Sequence, residues 1–142
     1  MTRTSIGSMT GTQWTGTGEL WLDPAGNDAT AYACTLSVKE DAVHYTWTHD
    51  GDEQRGILSL GPDTAQWVDT WHSPEPVDCQ RHYGGWALVD LWSTYSAGEG
   101  PDWGWRTILA QRPSGELVLQ MTNCTPWGEE GRAVRMVFTR QP

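Results

Sequence analysis

Turn-forming clusters punctuate this chain from end to end, at 23–27 (DPAGN), 49–52 (HDGD), 61–63 (GPD), 73–76 (SPEP), 98–101 (GEGP), 113–115 (PSG) and 126–128 (PWG). Each combines residues that supply left-handed backbone, fix φ, or bond their own main chain. The segments between them are short and rich in Thr, Val, Trp and Tyr, and helix-period patterns are nearly absent. The pattern predicts strands over 12–22, 30–38, 43–48, 54–60, 65–71, 81–95, 103–111, 117–123 and 133–140, with 81–95 broken near Gly84-Gly85 or Asp90. Strands joined in succession by tight turns form an antiparallel meander, and closing that sheet removes its two exposed edges. The expected fold is all-β: a closed antiparallel up-and-down β-barrel of nine or ten strands, with a β-sandwich as the competing arrangement. A chain of 142 residues fits one such domain, with 1–10 as a loose N-terminal segment.

Composition narrows the partners. Nine Lys and Arg against eighteen Asp and Glu give a formal charge of −9, which repels phosphate backbones and anionic lipid surfaces. Nucleic-acid and membrane partners are not expected, and with no apolar leader among the first residues the expected location is the cytoplasm. Cys34, Cys79 and Cys124 are an odd number without a C-x-x-C pair, so they read as buried thiols. Ten Trp and a single Phe, Phe138, shift the aromatic bulk to indoles, each a broad apolar face with one N–H that needs a partner when buried. Such residues suit the wall of a ligand cavity.

The stretch QWVDTWHS (66–73) concentrates that chemistry. Strand alternation puts Trp67, Asp69 and Trp71 on one face and Val68, Thr70 and His72 on the other. We read the indole face as inward, because two exposed indoles on one strand would form an apolar patch. Asp69 would then sit among indoles, where burial raises a carboxyl pKa and suits it to acid–base work. His72 would lie at the barrel rim, bonded to a loop carbonyl or touching whatever enters. His44 and His49 fall on opposite faces of their strand, and no two histidines have the spacing of a metal site, so no metal or other cofactor is expected. His82, with Arg81 and Tyr83, reads as a cluster that could close the same mouth. Trp103 and Trp105 share a face with Gly104 between them, a residue that marks a bend or the close approach of another backbone. Arg106 on the opposite face either pairs with Asp69 or Asp90 or binds an anionic head group. Tyr45, Gln66, Asp90, Tyr95, Gln120 and Asn123 are the remaining polar groups on apolar strands; Asp90 is the second candidate acid and Asn123 a candidate ligand contact.

The opening GTQWTGTG (11–18) resembles the G-x-x-W start of calycin barrels. The order of WVDTWH (67–72), Gly84-Gly85, WGWR (103–106), MTNCTPWGEE (121–130) and AVRMVFTR (133–140) is similar to a bacterial family of short lipocalin-like barrels with no settled activity, over roughly 11–140. Nitrobindin-like and fatty-acid-binding barrels are more distantly similar. That likeness implies a ligand-holding barrel, and in the nitrobindin-like case a haem on a histidine near the C-terminus. This chain has no histidine after His82, so haem is not expected. Three functions remain open: a barrel binding a small apolar or aromatic molecule; a cofactor-free isomerase, cyclase or lyase in which Asp69 or His72 moves a proton; and a filled structural barrel. The first is favoured, with Trp67, Trp71, Trp103 and Trp105 as walls and Asp69, His72, Arg106, Asp90 and Asn123 as polar points. A homodimer is compatible with any of them.

Overall fold

A computed structural model describes residues 5–23 and 27–142; Pro24–Gly26 of the first turn cluster and the first four residues of the N-terminal segment lie outside the described residues. A short 3-10 helix, Ile6–Met9, precedes ten strands: β1 (Gln13–Trp21), β2 (Ala29–Lys39), β3 (Ala42–His49), β4 (Asp52–Leu60), β5 (Thr64–Asp69), β6 (Ser73–His82), β7 (Ala87–Tyr95), β8 (Trp103–Gln111), β9 (Leu117–Cys124) and β10 (Glu130–Arg140). Each strand pairs antiparallel with the next, and β1 pairs with β10 to close the barrel. The meander expected from turn spacing is the observed topology. Within the described residues no helix is long and apolar enough to cross a membrane.

Two boundaries differ from the sequence reading. The 81–95 segment divides after His82, and Gly84-Gly85 turns the chain into β7. The turn expected at 73–76 comes earlier, at 70–72, and Ser73 already opens β6. Pro74 and Pro76 fit that strand because β6 pairs with β7 only from Gln80 to His82, so neither ring removes a ladder bond on that side.

In a closed meander the turns alternate between the two ends, which gives the barrel two unlike halves. The N-terminal helix caps the end where β1 begins: Met9 is buried, and Gly11 N–H to Val38 O at 2.8 Å and Val38 N–H to Thr12 O at 3.0 Å stitch the cap to β2. Behind it the interior is filled by Leu36, Val43, Leu58, Leu109, Leu117 and Phe138, all at most 1% exposed. Cys34, Cys79 and Cys124 are buried thiols as read, and burial pushes Cys34 up to about 12. The opposite end, where β5 runs into β6, carries the polar and aromatic groups.

Gly16 shows how tightly the wall is drawn. It sits between Cys34 and Phe138 in register, and a Cβ there would lie 1.8 Å from the backbone oxygen of Val137. A backbone atom cannot swing aside, so Gly16→Ala should cost about 3 kcal/mol or prevent folding, whereas Thr17→Ala next to it should cost no more than about 1 kcal/mol. Urea midpoints of the two variants check this.

Candidate functional site

The site is built around a carboxylate. Asp69 is the last residue of β5 and is 1% exposed. Its Oδ2 accepts from Tyr45 Oη–H at 2.7 Å and Trp47 Nε1–H at 3.2 Å, both on β3. Its Oδ1 accepts the backbone N–H groups of Trp71 and His72, each at 2.9 Å. Those two bonds fold residues 70–72 into an Asx-type turn, which is why the chain reverses there and not at Ser73. Trp67 Nε1–H donates to Tyr45 Oη at 2.9 Å, so the hydroxyl bridges a buried indole and the carboxylate.

Tyr45 reaches Asp69 across an intervening strand. Tyr45, Gly56 and Asp69 stand in one row of the sheet on β3, β4 and β5. Only glycine fits the middle position: a Cβ on Gly56 would lie 1.9 Å from the Tyr45 ring, so the ring crosses β4 where a side chain is missing.

Burial alone would raise the Asp69 carboxyl, but the His72 side chain, the His72 backbone amide and the Tyr45 hydroxyl outweigh it and hold the carboxyl below its ordinary 3.8. This corrects the expectation of a raised carboxyl suited to acid–base work. Asp69 is a fixed anion whose oxygens are already taken. Tyr45 is pushed well above the ordinary phenol range, first by burial and then by the Asp69 charge, and serves as a donor.

The Asx turn carries His72 back over the barrel end, so it joins the Asp69 side despite its opposite phase in sequence. Its side chain is 10% exposed, and Nδ1 lies 3.4 Å from Asp69 Oδ1, an ion pair when the ring is protonated. The approach is off-line for a hydrogen bond, and Nδ1 has no hydrogen-bond partner among protein groups. The ring centroid lies 4.7 Å from Trp71, 5.4 Å from Trp47, 5.5 Å from Trp105 and 6.3 Å from Trp67. Trp67 and Trp105 stack at 5.2 Å with 13° between planes, and Trp71 meets His49 and Trp47 edge-on.

The other sequence candidates divide. Trp67 and Trp105 point inward as expected, with Trp67 buried and Trp105 half-buried. Trp71 does not continue their wall: β5 has ended, and its indole is 41% exposed. Trp103 packs at 5.6 Å against the exposed Trp127 at the rim. Asn123 is opposite Trp105 in register and accepts a hydrogen bond from Tyr95 Oη–H. Arg106 and Asp90 leave the site. Both lie on the outer face, where Arg106 Nη2 is 3.0 Å from Asp90 Oδ2, so neither meets Asp69 or the interior. His82, Arg81 and Tyr83 lie at the capped end, not at this mouth. Gly104 is approached by the Trp92 side chain and not by another backbone.

Sequence reasoning gave Tyr45 no role and placed Trp47 nowhere, although Val43, Tyr45 and Trp47 share the inward phase of β3. His49, weighed only as a metal ligand, packs against Trp47 and Trp71. Two pockets open away from the cluster, one of about 350 Å³ at the capped end beside Met9, Trp14 and Arg140, the other of about 550 Å³ on the outer wall beside Asp41, Gln66 and Asp78. No group of three or more His, Cys, Asp or Glu among the described residues is placed to hold a metal. A scan against family models and a search of curated proteins found no match to this chain.

Tyr45→Phe removes the donor to Asp69 and the acceptor of Trp67 together, and should cost about 2–3 kcal/mol. Asp69→Asn should cost about 2–4 kcal/mol, because an amide cannot accept at both ends. The double variant should lose less than the sum, since the two share one bond. Asp69 is lower in the folded protein than the unfolded 3.8, so its stabilisation is complete above about pH 3.8 and is lost as pH falls below it. Urea midpoints of the native protein and Asp69→Asn should therefore converge below that pH. Parallel curves would contradict the ionised anchor.

Proposed function

We propose that this barrel binds a small apolar or aromatic molecule at the end formed by the β5–β6 turn, as a cytoplasmic calycin-like binding protein. The observation that carries the reading is the enclosure of one imidazole, His72, by four indoles at the end of the barrel opposite the Ile6–Met9 helix. Tyr45, Trp47 and Trp67 continue the core that the aliphatic half begins, but a histidine and an unpaired indole N–H among them are polar groups that filling alone does not call for. Flat π faces with a few polar points give area and orientation together. The capped, ten-stranded meander also supports the calycin likeness.

The Asp69–His72 contact favours a second reading, a cofactor-free enzyme. Asp69, 3.4 Å from Nδ1, would stabilise the protonated ring by charge while its bond to the His72 amide fixes the turn, and Nε2 would exchange a proton with substrate. In that reading Asp69 orients and His72 acts.

Intrinsic fluorescence separates these readings from a structural barrel. Titration with a panel of flat aromatic molecules should give saturable quenching, and His72→Ala should weaken it by about tenfold, or about 1.4 kcal/mol. No saturable response across the panel, together with a native mass spectrum free of any co-purified molecule, would contradict binding. If the enzyme reading holds, His72→Gln, which keeps a polar side chain in the cluster, should abolish turnover even at saturating concentrations of a compound that the variant still binds.

A further inference from the structure

The buried indole N–H groups of this protein are not treated alike. Trp14 Nε1–H donates to Thr12 Oγ1 at 2.9 Å, Trp47 Nε1–H to Asp69 Oδ2 at 3.2 Å, and Trp67 Nε1–H to Tyr45 Oη at 2.9 Å. Trp105 Nε1 is also shut off from solvent, yet it has no partner among protein groups. A desolvated N–H left unpaired is costly, and the carboxylate and amide acceptors nearest to it are already engaged. Asn123 Oδ1, across the strand pair, is held by Tyr95, and both Asp69 oxygens take donors from Tyr45, Trp47 and the turn amides. Neither Asn123 nor Asp69 is free to serve Trp105, and the neighbouring His72 Nδ1, the one other buried side-chain acceptor beside it, makes no hydrogen bond to it, so the N–H is available to an acceptor brought by a molecule that enters the cluster.

Its surroundings say what shape and charge could bring it. Trp105 stacks on Trp67 at 5.2 Å and has His72 at 5.5 Å, so a molecule reaching its N–H meets flat aromatic surfaces. The five loops at this end contain no Lys or Arg, while Asp23, Asp28, Asp50, Glu99, Asp102 and Glu129 lie in them. The Asp69 carboxylate adds a fixed negative charge beneath. Arg55 and Arg132 stand on the flanking strands, Arg55 paired with Glu53 and Arg132 over the Trp21 ring beside Asp23, so the six loop carboxylates leave this rim negative and unfavourable to an anion.

Resting on the aromatic-binding reading above, we propose that this end selects flat heteroaromatic rings that carry a hydrogen-bond acceptor and no negative charge, with Trp105 Nε1–H as the donor that reads the acceptor. A site built around a buried donor rejects an isosteric ring that lacks the acceptor, because the donor then stays unpaired.

Calorimetric titration with naphthalene, quinoline and a quinoline carboxylate tests this in the 142-residue protein. Quinoline should bind at least about tenfold tighter than naphthalene, and the carboxylate should bind more weakly than quinoline. Trp105→Phe keeps a ring for stacking but removes the donor, so it should erase the preference for quinoline and leave naphthalene affinity nearly unchanged. The quinoline-to-naphthalene ratio is read in the unaltered protein, so the test stands even if Trp105→Phe fails to fold. Equal binding of naphthalene and quinoline would overturn the donor role while sparing the aromatic-binding reading. Tighter binding of the carboxylate would overturn the charge preference. Failure of all three to bind would overturn this inference along with the reading beneath it.

Discussion

A carboxylate buried at the end of β5 organises this protein. Asp69 is nearly inaccessible, and a charge in that position is tolerable only if its oxygens are fully used. Four donors meet it, two side chains from β3 and two amides from the turn that follows. One atom group thereby ties a strand two places away to the local reversal of the chain. Gly56 makes the long tie possible, since the Tyr45 ring occupies the space that a side chain there would fill.

The same interaction decides where the functional groups face. Continued strand geometry would have sent His72 to the outer side, but capture of its amide by Asp69 ends β5 and swings the imidazole over the barrel end. The turn also releases Trp71 from the inward row, so that indole becomes rim surface. What remains inside is a stack of Trp67 and Trp105 beside His72, above a floor of aliphatic side chains. The two ends differ in chemistry: one is capped by Ile6–Met9 over aliphatic side chains, and at the other the same core continues in Tyr45, Trp47 and Trp67, with Trp105 packed against it.

Much of the fold could be read from the chain because turn residues and strand composition act locally. The meander, the break near Gly84-Gly85 and the inward phase of Trp67 and Asp69 all followed from that. What escaped was set by contacts far apart in sequence. Charge alone offered Arg106 either Asp69 or Asp90; only the fold decides between them, since Asp69 faces the interior and Arg106 meets Asp90 on the outer face, across the β7–β8 pair. The carboxyl expected to rise was lowered, because donors from β3 were invisible in the QWVDTWHS stretch. Tyr45 and Trp47 carried a usable signal in their period-two spacing, but nothing local says that a glycine on the next strand lets Tyr45 reach across it.

Trp47 and Trp67 are locked into the Asp69 frame by their N–H groups, whereas the Trp105 N–H has no partner among protein groups and is the donor we propose for a ligand. Ten Trp residues make the indole N–H region of a proton–nitrogen correlation spectrum the most direct test of that difference, recorded with and without quinoline. The Trp47 and Trp67 signals should exchange slowly with solvent and stay in place, while the Trp105 signal moves downfield as its N–H gains an acceptor. If Trp47 and Trp67 exchange as fast as the exposed Trp86, or shift while Trp105 does not, the frame and the free donor have been assigned to the wrong residues.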